Sequence, residues 1–364
     1  MASPAAAGGG VPAREESAAW ARSLGVSTDA VLLVLECDTI DLHIDSFIWT
    51  RLFGYELRQR HPDGYPFAGA LLGHADSPRI AASGMSGAVW IVTTNPLRSR
   101  SGMARVTRAN IEALASTLES SPVPTSVVRS ASQYAAARAE GRHAAFIGVQ
   151  GANALVADPH LVEGPLGDLL TLVTLVHLSS SSVGVTSSPL ALGHRSGLGV
   201  DANALMERLA HKRILVDLAH INPPGFWGCI AGYDPTLPLI VSHTGVGAVH
   251  PHWRNLDDAQ IRAVAERGGV VGIMFHAPFL SKRWRTATSA AVVDHIAHVI
   301  DLVGDEFVAL GSDWDGAILP PHDLRSCLTL PRLVQRMLDR GWEADRIRRV
   351  LGGNFLRVLA QLRP

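Results

Sequence analysis

Eight short apolar runs, separated by stretches of helical periodicity, predict an α/β protein, and six of the eight end in a His, Asp or Gln. Together these features point to a (β/α)8 barrel of the TIM type with C-terminal helices, because parallel buried strands are apolar on both faces and such barrels carry their chemistry at the C-terminal strand ends. The runner-up, an open doubly wound sheet, needs a Gly-rich phosphate turn after an early strand, and none is present.

The runs, in chain order, are "VLLVLECDTI" (31–40), "GAVWIVTT" (87–94), "HAAFIGVQ" (143–150), "LLTLVTLVH" (169–177), "ILVDLAH" (214–220), "PLIVSH" (238–243), "VVGIMF" (270–275) and "FVALGSDWDG" (307–316). Between them, "DANALMERLAHKR" puts Leu205, Met206, Leu209 and Ala210 on one stripe. "DDAQIRAVAERGG" opens on acids and closes on glycine, which suits the helix dipole and a C-terminal stop. "AAVVDHIAHVIDLVG" repeats that pattern. No second composition regime appears, so a single domain is expected over 31–364. Residues 1–30 are small, Gly-rich and polar, and are expected to be a disordered lead-in.

Bulk composition narrows the function classes. Of 364 residues, 47% are hydrophobic, enough for a large core, and the net charge is −1. That balance argues against nucleic-acid and membrane partners. Three scattered cysteines, Cys37, Cys229 and Cys327, argue against a disulfide framework and a Cys-based zinc site. The start lacks the basic and apolar regions of a secretion signal, and no apolar run reaches membrane-span length, so a cytoplasmic protein is expected.

The strand ends carry the argument about chemistry. The first run leads into His43 and Asp45, the third ends at Gln150, the fourth at His177, the fifth at Asp217 and His220, the sixth at His243 and the eighth at Asp313 and Asp315. In a barrel these groups would meet at one mouth, where buried charges and imidazoles need a common partner. A divalent ion is the simplest one. His–x–Asp at period two sets both side chains on one strand face, and both are standard zinc ligands. Taken singly, each residue has a plainer role: a strand-end His is commonly structural, a strand-end Asp commonly caps a helix, Asp217 suits a structural partner of its neighbours, and Asp315 suits the turn before Gly316. Their convergence favours a metal centre.

"DLHID", "DLAH", "SHTG", "HWRNLDDAQIRAVAERGGVVGIMF", "DHIAHVIDLVG", "GSDWDG" and "LGGNFLRVL" occur in this order. Over residues 38 to 360 the chain thereby resembles the renal (membrane) dipeptidase family of the amidohydrolase superfamily. The resemblance implies a zinc-dependent hydrolase that cleaves a dipeptide or similar small amide with a metal-activated water, and that is often a homodimer. It implies that His43 and Asp45 hold a first metal and His220 and His243 a second. Arg254 would bind the substrate carboxylate, His177 would contact the substrate and the developing oxyanion, and Asp313 would serve as acid/base.

The chain departs from the family pattern at Gln150, which stands where the family has a metal-bridging glutamate. A neutral amide offers one oxygen donor, and its NH2 group is no ligand. Two divalent ions would then lack one balancing charge, so a weakened or vacant second site is expected. Asn153 and "LSSSS" after His177 also depart from the family pattern. Two alternatives follow: a one-metal relative with a diverged amide or lactam substrate, and a non-catalytic binding protein. His295 and His298 are expected to pack against the barrel, His276 to line the pocket or not with equal weight, and His74 and Asp76 to have no assigned role.

Overall fold

The computed structural model describes residues 14–62, 69–95, 97–191 and 196–364. Nine strands form one sheet: β1 (Ile40–Ile44), β2 (Gly87–Thr93), β3 (Thr125–Val127), β4 (His143–Gln150), β5 (Leu170–Thr174), β6 (Leu215–Asp217), β7 (Leu239–Thr244), β8 (Val271–Ile273) and β9 (Val308–Leu310). Every described strand pairing is parallel, and direct pairing of β2 with β4 closes eight strands into a barrel in the order β2-β1-β9-β8-β7-β6-β5-β4. The expected barrel is therefore present. The ninth strand, β3, has no counterpart in the sequence reading. It is three residues long and pairs with the start of β4 (Thr125↔His143), beside the stretch where β5 joins from Ile147 onward.

Seven of the eight apolar runs hold a strand, and the first reaches one only at its last residue. "VLLVLE" belongs to helix α2 (Thr28–Glu36), and β1 begins only at Ile40. The helix starts because the Ser27 hydroxyl accepts the Ala30 N–H at 3.2 Å, with Asp29 in the first turn. The run is apolar on both sides because α2 is buried on both sides: Val31 and Leu35 meet Trp20, Ala21 and Leu24 of helix α1 (Arg14–Leu24), while Val34 joins the main core. A short apolar run carries no period that separates a buried strand from a buried helix. The lead-in expected over 1–30 is corrected likewise: the chain is helical from Arg14, and residues 1–13 lie outside the described residues.

The expected helices between strands are found at Ala202–His211, Asp258–Glu266 (with an Asp257/Gln260 capping box) and Ser289–Val303. C-terminal helices Leu330–Asp339 and Asn354–Leu362 follow the barrel, and the first packs against α2. No single described helix is long and apolar enough to cross a membrane.

Candidate metal centre

Burial on every side forces the β1 alternation to choose its polar positions. Asp41 and His43 lie two apart, and Asp45 follows one step past the strand end. Asp41 Oδ1 accepts the N–H groups of His43 (3.0 Å) and Ser312 (2.9 Å), which ties β1 to the end of β9. Asp45 is the N-cap residue of helix α3 (Ser46–Phe53), yet its side chain makes no capping bond. It turns to the centre instead, accepting the Thr93 hydroxyl at 3.0 Å and standing 3.5 Å from His43 Nε2. The capping role open to a strand-end Asp does not account for it.

His43, Gln150, His220 and His243 come together at the barrel mouth. Gln150 Nε2 lies 3.2 Å from His43 Nε2 and 3.2 Å from His220 Nε2. His220 Nε2 faces His243 Nε2 at 2.8 Å, and the His43 and His243 rings stand 3.8 Å apart. Ligand atoms of His43, His243 and Asp313 all lie within 4.8 Å of one another, a group that could hold a metal ion. It draws one histidine from each of the two expected ligand pairs, so the pairs form one contiguous cluster.

Electrostatics favour a cation here. Burial, with the neighbouring positive groups, holds the His220 and His243 imidazoles well below the usual histidine range, so both are neutral with lone pairs to offer. Burial also opposes protonation of His43, but Asp45, Asp313 and Asp217 outweigh it and raise its pKa. Burial, reinforced by Asp45 and Asp41, pushes the Asp313 carboxyl well above its ordinary value despite His43 and Arg254. Nitrogen lone pairs facing one another beside crowded carboxyls are a donor set that an ion such as zinc satisfies. Among the described residues His220 Nδ1 is buried without a hydrogen-bond partner, and both His220 (φ 66°) and Asp313 (φ 62°) adopt left-handed backbone, which costs non-glycine residues free energy and concentrates at functional sites.

A supporting shell orients His243. The Asp217 carboxylate accepts the Ser242 N–H (2.8 Å), the Ala219 N–H (3.0 Å), the Thr174 hydroxyl (2.5 Å) and the Ser242 hydroxyl (2.6 Å). Ser242 has one hydroxyl proton and gives it to Asp217. Its oxygen must then accept from His243 Nδ1 at 2.8 Å, which leaves Nε2 as the lone-pair atom aimed at the centre. Asp217 is thus a structural partner, as its spacing suggested. Thr93, Asp41 and Ser242 were not singled out from sequence. The signal for Asp41 was its place on the same alternation as His43, and for Thr93 the polar end of the second run.

His177 and Arg254 flank the cluster. The His177 ring meets His220 edge-on at 4.8 Å, and burial lowers its pKa to about 4. Arg254 is only 4% exposed, which excludes a surface capping role. Its Nη2 donates to the His243 carbonyl at 2.7 Å, while Nε has no partner among the described residues. Burial lowers its pKa to about 10, still charged at neutral pH.

Other polar residues are structural. The Asp315 carboxylate accepts the N–H groups of His74 (2.8 Å) and Ala75 (3.3 Å) and the Ser46 hydroxyl. His74 Nδ1 accepts the Asp315 N–H at 2.9 Å, and Nε2 donates to the Gly69 carbonyl at 2.9 Å. Asp76 caps the helix Ser77–Ser83. His295 bridges the Val246 N–H and the Leu280 carbonyl, His298 pairs with Asp258, and His276 accepts the Leu319 N–H against Phe279.

A parallel eight-stranded barrel with histidines and carboxyls converging at its C-terminal strand ends defines the class: a barrel of the metal-dependent hydrolase type. The family model described as membrane dipeptidase (peptidase family M19) matches residues 28–363, so the chain belongs to that family and is a hydrolase of it. The chain is 28% identical over 337 residues to the dipeptidase aclJ of Aspergillus oryzae, covering 88% of this chain and 77% of that protein. An uncharacterized protein of Klebsiella pneumoniae is 35% identical over 164 residues, and the match spans 58% of its length and 44% of this chain. Among solved structures, a Rhodobacter sphaeroides metallo peptidase liganded with a phosphinate mimic of L-Ala-D-Ala superposes with a TM-score of 0.78 at 22% identity, covering 90% of this chain and 99% of that one. The M19 dipeptidase AC does so with a TM-score of 0.78 at 23% identity, covering 90% and 98%.

Proposed function

We propose that this protein is a zinc-dependent hydrolase that cleaves a dipeptide or similar small amide. The observation that carries the reading is the meeting of His43, His243 and Asp313 ligand atoms within 4.8 Å, with Asp45 and His220 against them. Those five residues would hold the metal. When bound, it supplies Lewis-acid polarisation of the scissile carbonyl and acidifies a water. Arg254, anchored on the His243 carbonyl, fixes the free carboxylate of the substrate with its guanidinium fork. Neutral His177 offers its ring to the carbonyl oxygen as negative charge develops. The Asp313 carboxylate, beside the metal position, takes a proton from the attacking water and passes it to the leaving amine. The three cysteines are free and buried, which fits a cytoplasmic location that cell fractionation would check.

Gln150 supports a second reading, with one metal and a diverged substrate. Its amide nitrogen faces the Nε2 atoms of His43 and His220 at 3.2 Å each, so its two N–H groups occupy the lone pairs that an ion needs. A glutamate there would repel those lone pairs until a cation arrived. Gln150 therefore competes with metal where the family residue recruits it. The test is zinc content of the purified chain and of Gln150→Glu. About one zinc per chain, rising toward two in the variant, is expected from the charge restored. Two zincs in the unaltered protein would sink the weakened-site argument. No zinc and no amide hydrolysis would sink the enzymatic assignment of these residues.

A further inference from the structure

Beside the centre lies a cavity of about 270 Å³, bounded by α3, the loop after β2, the turn after β4 and the segment after His177. Thr93, which donates to Asp45, and His177, which meets His220 edge-on, both line it, so it borders the cluster. Its outer wall carries two arginines, Arg51 and Arg98, with Asn95 and Asn153, and the apolar Leu52 and Leu178. Among the described residues no aspartate or glutamate lines it. Among the described residues neither guanidinium has an ion-pair or hydrogen-bond partner, although most arginines of this chain do. Burial, with the positive charge of Arg98 next in weight, lowers the Arg51 pKa, so two cations face one cavity with no acid among the described residues to balance them.

The position of the cavity selects which part of a substrate enters it. Arg254 is held on the carbonyl of His243, on β7. In the closed order, β7 stands four strands from β2 in either direction, across the barrel mouth. A dipeptide with its free carboxylate at Arg254 and its amide bond over the cluster therefore extends its amino-terminal residue toward β2, β4 and β5, where the cavity is. At about 270 Å³ it falls just below the roughly 300–1,000 Å³ of sites that take drug-sized ligands, which suits a single side chain.

We propose that this cavity is the subsite for the amino-terminal residue of the substrate and that it selects an acidic side chain, aspartyl or glutamyl. The methylene stem lies along Leu52 and Leu178, and the carboxylate meets Arg51 and Arg98, whose planar forks match a carboxylate bidentately. The amides of Asn95 and Asn153 can donate to the same group. This inference rests on the dipeptidase reading for its orientation.

The test uses the full zinc-loaded chain and compares kcat/KM for Glu-Ala with that for its neutral isostere Gln-Ala, each with L- and D-alanine. A preference for Glu-Ala of at least about ten-fold is expected, the scale of one hydrogen bond to a charged group. The Glu/Gln ratio should fall toward one in Arg51→Met/Arg98→Met and partway in Arg98→Met, whose exposed position makes misfolding a poor explanation. Because the readout is a ratio within one protein, a general loss of activity does not mimic it. Hydrolysis of both substrates at equal rates, or a ratio that survives in the double variant, overturns the subsite while leaving the dipeptidase reading intact. If neither dipeptide is cut, that reading fails first. The subsite is then decided by calorimetric binding of the same two dipeptides, where equal affinities overturn it and tighter Glu-Ala binding lost in the double variant upholds it.

Discussion

Two buried clusters of histidine and aspartate stand at the ends of β1 and β9, two residues apart in sequence at Asp313 and Asp315, and they are built on opposite rules. Around Asp315 each donor faces an acceptor: the carboxylate takes two backbone N–H groups and a hydroxyl, and His74 accepts at one ring nitrogen and donates at the other. Around Asp313 the polar atoms outnumber their partners: three carboxyls and three imidazoles crowd one another, Gln150 Nε2 is shared between two ring nitrogens, and His220 Nδ1 has no hydrogen-bond partner among the described residues. Residue type, burial and even left-handed backbone (Asp315, φ 66°; Asp313, φ 62°) are shared. What separates a structural network from a functional centre is whether the protein alone satisfies its polar atoms.

The largest effect that this contrast predicts is on the closed network. Asp315→Ala leaves the Ser46 hydroxyl and two N–H groups without their acceptor and should cost about 3–5 kcal/mol, the scale of breaking a buried charged network. Urea unfolding of the metal-free variant measures it. Zinc should still stabilise the variant by its usual increment, about 4 kcal/mol at a thousand-fold excess over Kd. A loss below about 1 kcal/mol would show that the network is not what holds this end of the barrel. A smaller effect, of the opposite kind, is expected at the open centre. Ser242→Ala removes the hydroxyl that fixes the His243 tautomer but keeps the backbone bond to Asp217. Zinc affinity should drop about 10–100-fold, and the metal-free fold should lose only about 1–3 kcal/mol, the cost of one buried donor left without its acceptor. Competition with a chelating indicator measures this. Unchanged affinity would mean that another contact sets the ring.

Much of the barrel was legible because parallel strands buried on both faces announce themselves as apolar runs, and seven of eight did. The first misled because α2 is sandwiched between α1 and the core and so lost the polar face that marks a helix. β3 was invisible because three residues carry no period. Among the polar residues, sequence marked His43, Asp45, Gln150, His177, His220 and His243 by position at strand ends, and the fold brings them to one mouth. Asp313 was marked in the same way, at the end of the eighth run, whereas Arg254 came from the family resemblance in role and from the fold in place. The sequence could not show which hydroxyl belongs to which carboxylate: the Asp217–Ser242–His243 chain joins β6 to β7, and Thr93 reaches Asp45 across 48 residues. Such partners are set by barrel closure, not by local pattern. Arg51 and Arg98 were missed for the same reason, since an arginine without an acid is recognised only once its neighbours are known.

The mildest test extends the rule to histidines away from both clusters. His143 donates from Nδ1 to the Met85 carbonyl (3.1 Å) and accepts the Trp90 indole N–H at Nε2 (3.3 Å). His295 accepts the Val246 N–H at Nδ1 and donates from Nε2 to the Leu280 carbonyl. Each pattern requires the neutral ring, and burial lowers both pKa values to about 4. The unfolded chain, with histidine near about 6.5, binds a proton more readily than the folded one. Their stabilising effect is therefore complete above about pH 6.5 and is lost as the pH falls toward about 4, with a slope of up to about 1.4 kcal/mol per pH unit for each histidine. Urea midpoints of the metal-free protein at pH 7, 6 and 5 measure that slope. In His295→Asn it should flatten by one histidine's share, because the variant has no proton to exclude. An unchanged slope would mean that His295 tolerates its charge in the fold. Pairing of donors with acceptors would then fail to separate structural histidines from functional ones.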